Sequence, residues 1–162
     1  MARKQKRRWY ANARMRLMMG AAAMILSATA VSMNFAFDTK PLKIRAYKTP
    51  NCGSCDGWIE YLQGHGSKTV VTTMDNLGLI KSAGGVPRNL LSSHTAFAGG
   101  YTIEGPVPAR DIRRLLHEKP TARGLVVPGN PNPPAGKEGV KKAAYDVLIF
   151  DAIGGAKVFA RH

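Results

Sequence analysis

The sequence predicts an α/β domain that follows an uncharged N-terminal segment. Apolar, β-branched segments alternate with segments of helical periodicity, and glycines and prolines separate them. A Cys-x-x-Cys pair also stands between the first predicted strand and the first predicted helix. The folded domain is expected to span residues 38–162, which is long enough to bury a hydrophobic core without a disulfide scaffold.

The N-terminal segment has the composition of a secretory signal. Seven of the 24 lysines and arginines lie in residues 1–16, which contain no acid, and residues 17–37 carry no charge. Ala28-Thr29-Ala30 fits the small-residue cleavage pattern, so residues 1–30 are predicted to be a signal peptide. The alternative is an uncleaved anchor that extends to about residue 37. Both place the domain in the periplasm, either soluble or tethered to the inner membrane.

The net charge of +14 does not predict a nucleic-acid-binding protein. Outside the N-terminal segment the charges are mixed and scattered, and no basic surface with interleaved aromatic residues is recognisable. The expected partner is therefore a metal ion rather than a nucleic acid. Contact with the membrane is expected only through the N-terminal segment.

The elements follow from periodicity and from the residues that interrupt it. Strands have β-branched runs, helices have apolar residues three and four apart, and glycine or proline ends each element. The order is strand 41–49, helix 55–66, strand 67–75, short helix 76–86, hairpin 95–105, helix 108–119, loop 124–139 and hairpin 145–162. Gly99-Gly100 and Gly154-Gly155 are the predicted hairpin turns, and four prolines and four glycines predict the loop.

Cys52 and Cys55 are the only cysteines, and their position predicts a thioredoxin-like fold with a C-terminal β-hairpin extension. A helix N-terminus stabilises a thiolate, which favours both metal binding and thiol exchange. A plain structural disulfide is the third interpretation. The hairpin and helix of residues 95–119 are similar to those of glutaredoxins, but His94-Thr95 stands where those enzymes have a cis-proline, which argues against oxidoreductase turnover.

The sequence resembles a family of small bacterial periplasmic metal-binding proteins, classified as a domain of unknown function and often encoded near copper-handling genes. The resemblance runs from about Ile44 to His162. It is borne by YKTPNCGSCDGW, SSHTAFAGGYTIEGPVPARDIRRLL, ARGLVVPGNP and YDVLIFDAIGGAKVFARH.

At five positions where the family pattern has a residue type that binds soft metals, this chain has a different residue. Where the family has cysteine, this chain has Ser54 and Ser93, and where it has histidine, this chain has Pro106. Asn130 and Lys137 replace methionines. Since the missing side chains are those that hold Cu(I), the resemblance implies the family scaffold with a reduced ligand set.

The expected function is non-enzymatic metal handling, with Cys52, Cys55 and His94 as the ligands. Copper(I) is the expected metal and zinc the weaker candidate. The alternatives are a thiol-disulfide oxidoreductase in which Cys52 attacks and Cys55 resolves, or a scaffold whose metal site has degenerated.

Several other polar residues are expected to lie outside any site. Glu104 is interpreted as a turn or edge residue, and His162 as exposed. Ser93 is not expected to work with His94 as a hydrolase pair, because neighbouring side chains on a strand point to opposite faces. Trp58 is expected in the core under the first helix.

Overall fold

The computed structural model describes residues 41–129 and 144–162, and the predicted signal peptide or anchor lies outside them. The described residues form a seven-stranded sheet and three α-helices. The strands are β1 (Leu42–Lys48), β2 (Ser67–Thr73), β3 (Thr95–Ala98), β4 (Tyr101–Glu104), β5 (Gly124–Val126), β6 (Asp146–Phe150) and β7 (Ala156–Arg161). The helices are α1 (Gly53–Gly64), α2 (Gly78–Ala83) and α3 (Ala109–Glu118), with a single 3₁₀ turn at Arg88–Leu90. None of the described helices is both long and apolar enough to cross a membrane.

The sheet is mixed, with the strand order β2-β1-β3-β4-β5-β6-β7. β1 and β2 are parallel and are joined through α1, which confirms the predicted strand–helix–strand unit. β4 and β5 are also parallel, and every other neighbouring pair is antiparallel. The α/β class is therefore confirmed, while its assignment to the thioredoxin-like type stays a prediction.

The two faces of the sheet are covered unequally. On one face, alternate residues of β1 pack with α1 and α3 in the main core, in which Trp58 and Ile112 are fully buried. This confirms the predicted position of Trp58, whose indole N–H donates to the carbonyl oxygen of Val107 at 2.9 Å. On the other face a smaller cluster forms beside the 3₁₀ turn, from Val86, Leu90, Val126 and Phe150.

The hairpin turn at Gly99-Gly100 is confirmed. Both glycines have positive φ, 55° and 90°, and such turns match the twist of the flanking strands. The second hairpin is also confirmed, as β6 and β7 pair antiparallel on either side of Gly154-Gly155.

The prediction of loop across residues 124–139 is wrong at its start, because Gly124–Val126 forms β5. A Cβ at Gly124 would lie 1.8 Å from the carbonyl oxygen of Thr102, so only glycine allows β5 to approach β4. Leu125 and Val126 are fully buried. The glycine that suggested a loop is thus required by the strand, and residues 130–139 lie outside the described residues.

Candidate metal and redox site

Cys52 and Cys55 lie at the N-terminus of α1, as predicted, and are joined in a disulfide with their Cα atoms 5.2 Å apart. The carbonyl oxygen of Cys52 accepts the first hydrogen bonds of the helix, from the N–H groups of Cys55 at 3.0 Å and Asp56 at 3.1 Å. Cys52 is partly exposed, whereas Cys55 is fully buried. After reduction, Cys52 would therefore be the accessible thiol, stabilised as a thiolate by the helix N-terminus.

The loop before the disulfide is fixed by a buried lysine. Lys48 ends β1, and its Nζ lies 3.0 Å from a carboxylate oxygen of Asp56 in the first turn of α1. The same Nζ donates to the carbonyl oxygens of Thr49 at 3.4 Å and Pro50 at 3.2 Å. These contacts hold the cysteine loop against the helix that follows it.

Ser54 and Ser93, which the resemblance predicts to stand in place of cysteines, both lie beside the disulfide. The hydroxyl of Ser54 is 3.6 Å from Sγ of Cys52, and the carbonyl oxygen of Ser93 is 3.9 Å from Sγ of Cys55. In the reduced protein that carbonyl is placed to accept a hydrogen bond from the Cys55 thiol. The two serines thus lie at the centre of the predicted site and not at its margin.

His94 follows Ser93 and is buried, with its ring 4.3 Å from that of Trp58 between centroids. Its Nδ1 shares a hydrogen bond of 3.1 Å with the Ser93 hydroxyl, while its Nε2 is buried without a partner among the described residues. Burial, and then the positive charge of Lys81, lower the pKa of His94 to about 3, and the nearby backbone of Gly105 opposes this shift. His94 is therefore neutral at physiological pH, which is the form that binds metals.

The expectation that Ser93 and His94 point to opposite faces is wrong. β3 begins at Thr95, so both residues precede the strand, and the alternation of a strand does not apply to them.

The described residues contain no group of three or more His, Cys, Asp or Glu side chains that could hold a metal ion. In the disulfide form the two sulfurs are also not available as thiolates. The chemistry of Cys52, Cys55 and neutral His94 nevertheless suits a soft cation once the disulfide is reduced. Their assignment as metal ligands stays a prediction.

The interpretation of Glu104 as a turn or edge residue is wrong, because its side chain is fully buried at the end of β4. One carboxylate oxygen lies 2.6 Å from Nζ of Lys81 on α2 and accepts the N–H of Ser92 at 2.7 Å. The other accepts the hydroxyl of Thr95 at 2.7 Å. Sequence reasoning missed this network. It fixes the chain on both sides of His94, through Ser92 and Thr95.

The prediction that His162 is exposed is also wrong. Its Nε2 lies 2.7 Å from a carboxylate oxygen of Asp111, which is buried in the first turn of α3. Its ring stacks on Tyr145 with centroids 5.0 Å apart, and Arg110 lies 3.2 Å from its Nδ1. The final strand is thereby attached to α3.

Comparison with known proteins identifies relatives by sequence and by structure. The family described as "Protein of unknown function, DUF411" matches residues 90–139, and no curated protein matches the chain. Two solved structures, forms 2 and 1 of copper resistance protein CopG, are each 35% identical to it with a TM-score of 0.69. Each alignment covers 76% of this chain, and 99% and 98% of the two CopG chains. The chain therefore belongs to the family of the copper resistance protein CopG.

Proposed function

We propose that this protein handles copper in the periplasm by binding Cu(I) through reduced Cys52 and Cys55, with His94 as a third ligand. The observation that supports this most is the pair of cysteines at the N-terminus of α1 in a chain of the CopG family. The proposed role is binding and not turnover. Two thiolates with an imidazole suit Cu(I) better than zinc, which takes a fourth ligand in structural sites.

Binding requires a change of redox state. The disulfide takes up two electrons and two protons from a thiol reductant and becomes two thiols, which then lose their protons as the metal binds. The buried Cys55 would bind the ion from the protein interior, and the accessible Cys52 would bind it from the solvent side. Oxidation of the pair would release the ion, so copper loading would follow the redox state of the periplasm.

The test is a titration of the reduced protein with Cu(I) against a competing chelator. We expect one Cu(I) to bind per chain, and the Cys52→Ser, Cys55→Ser double variant to lose this binding. Ser54→Ala is the matched control, because it changes a side chain beside Cys52 but leaves both thiols. Equal binding by wild type and the double variant, or binding by neither, would refute the proposal.

Thiol-disulfide exchange is the second candidate, and the unequal exposure of the two sulfurs favours it. The Cys52 thiolate would attack a substrate disulfide to form a mixed disulfide and release one substrate thiol. Cys55 would then attack Cys52, releasing the second substrate thiol and restoring the Cys52–Cys55 disulfide.

A redox titration distinguishes this activity from copper binding. If exchange is the function, we expect a reduction potential between about −270 and −120 mV, the range of known oxidoreductases. The Cys55→Ser variant should then accumulate the mixed disulfide, and Cys52→Ser should not. A much lower potential with no turnover of a disulfide substrate would exclude this candidate and leave copper binding untouched.

A further inference from the structure

A groove of about 640 Å³ lies on the sheet face opposite the main core. We call it the basic groove, and none of its lining residues is a cysteine, a histidine or an acid. Its lining includes the cations Lys43, Arg45, Lys68 and Arg123 and the apolar residues Val70 and Phe97. The function proposed above makes no use of this surface.

Four cations line the basic groove, and three of them have no counter-charge among the residues that the structure describes. Lys43, Arg45 and Lys68 form no ion pair or side-chain hydrogen bond with any residue that the structure describes. Arg123 is held in place, since its guanidinium donates to the carbonyl oxygens of Gly84, at 2.9 Å, and Ala83. Within the described part of the chain, the groove therefore presents one fixed positive charge and three that are unpaired.

The register of β1 and β2 places two of these charges directly side by side. Lys43 pairs with Lys68, and Arg45 follows two residues later on the same face. Like charges opposite each other on neighbouring strands destabilise a sheet. A negatively charged ligand would relieve this repulsion, so the arrangement favours an anion over a neutral ligand.

Apolar side chains lie on both sides of Arg45 in the basic groove. Val70 is 66% exposed and Phe97 is partly exposed, and both pair with Arg45 from the two neighbouring strands. Tyr47 packs edge-on against Phe97, with ring centroids 5.8 Å apart. A ligand that fits would therefore combine an apolar group with flanking negative charges.

We propose that the basic groove binds an acidic segment of a partner protein, with one apolar side chain of that segment seated on the exposed Val70, beside Arg45. The groove is concave, whereas a membrane surface is met best by a flat or protruding patch. A single-stranded nucleic acid is bound by several aromatic side chains on which successive bases stack, but among the described residues that line the groove Phe97 is the one aromatic residue. Carboxylates that flank an apolar side chain match the cations and the exposed Val70 of the groove.

The test uses the full-length chain and a fluorescent peptide with two glutamates on each side of one phenylalanine. We expect binding that weakens with added salt, and an otherwise identical peptide with glutamines should not bind. Lys43→Gln with Arg45→Gln should weaken binding about tenfold, and Val70→Ser about threefold. Circular dichroism confirms that each variant is folded.

The matched control is Arg88→Gln with Lys157→Gln, which removes one arginine and one lysine, both exposed and outside the groove. We expect this variant to bind the peptide as wild type does. Equal weakening by both double variants, or no binding to wild type, would overturn the proposal. Tighter, groove-dependent binding of phosphatidylglycerol vesicles or of single-stranded DNA would also overturn it.

Discussion

Replacing Lys81 with methionine is expected to lower the free energy of unfolding by about 3–5 kcal/mol, the effect of removing one partner from a buried ion pair. The Glu104 carboxylate is fully buried and Lys81 is its only cationic partner among the described residues. Without that cation, the carboxylate keeps only the Ser92 N–H and the Thr95 hydroxyl as neutral donors. Those donors cannot compensate a buried charge. Denaturant unfolding at pH 7 measures the change.

Two further variants separate this effect from a general response to losing a lysine. Lys157→Met removes an exposed lysine at the other end of the sheet and should change stability by no more than about 0.5 kcal/mol. The double variant Lys81→Met, Glu104→Gln removes both charges and should recover part of the lost stability. A Lys81→Met protein as stable as wild type would contradict the assignment of a buried ion pair.

The contrast between Cys55 and Glu104 shows what local pattern can predict. The cysteine pair follows an apolar strand and begins an apolar stripe at helical spacing, so its place at the start of α1 depends on neighbours in sequence. The partner of Glu104 lies 23 residues away on α2. A polar residue at alternate spacing on a strand normally predicts exposure, and only the packing of α2 over that end of the sheet makes it buried.

Contacts between residues that are far apart in sequence also explain the other differences between the predicted and the observed structure. Asp111 and His162 are 51 residues apart, so no periodicity links them. Gly124 belongs to a strand because of the carbonyl group opposite it, which the sequence around Gly124 does not reveal. The motif around His94 predicts a candidate ligand, but its burial against Trp58 depends on the fold. Local elements are thus predictable, whereas contacts between distant elements are not.

His94 is expected to make the disulfide form of the protein unstable in acid. Its pKa is about 3 in the folded protein and 6.5 when unfolded, so protons bind more tightly to the unfolded chain. The folded protein is therefore not penalised by His94 above pH 6.5, and its free energy of unfolding decreases as the pH falls from 6.5 towards 3. Through His94 alone, the free energy of unfolding is lower than at pH 7 by about 3 kcal/mol at pH 4 and by about 4 kcal/mol at pH 3.

The measurement is the free energy of unfolding of wild type and of His94→Leu, compared at each pH between 7 and 4. Carboxylates titrate in both proteins, so their contribution cancels and the difference reports His94. His117→Leu, which removes an exposed histidine of α3, should reproduce the wild-type profile. Since the positive charge of Lys81 also lowers the pKa of His94, Lys81→Met should make the His94 contribution less dependent on pH. A difference between wild type and His94→Leu that stays constant from pH 7 to pH 4 would mean that His94 is not held neutral by burial.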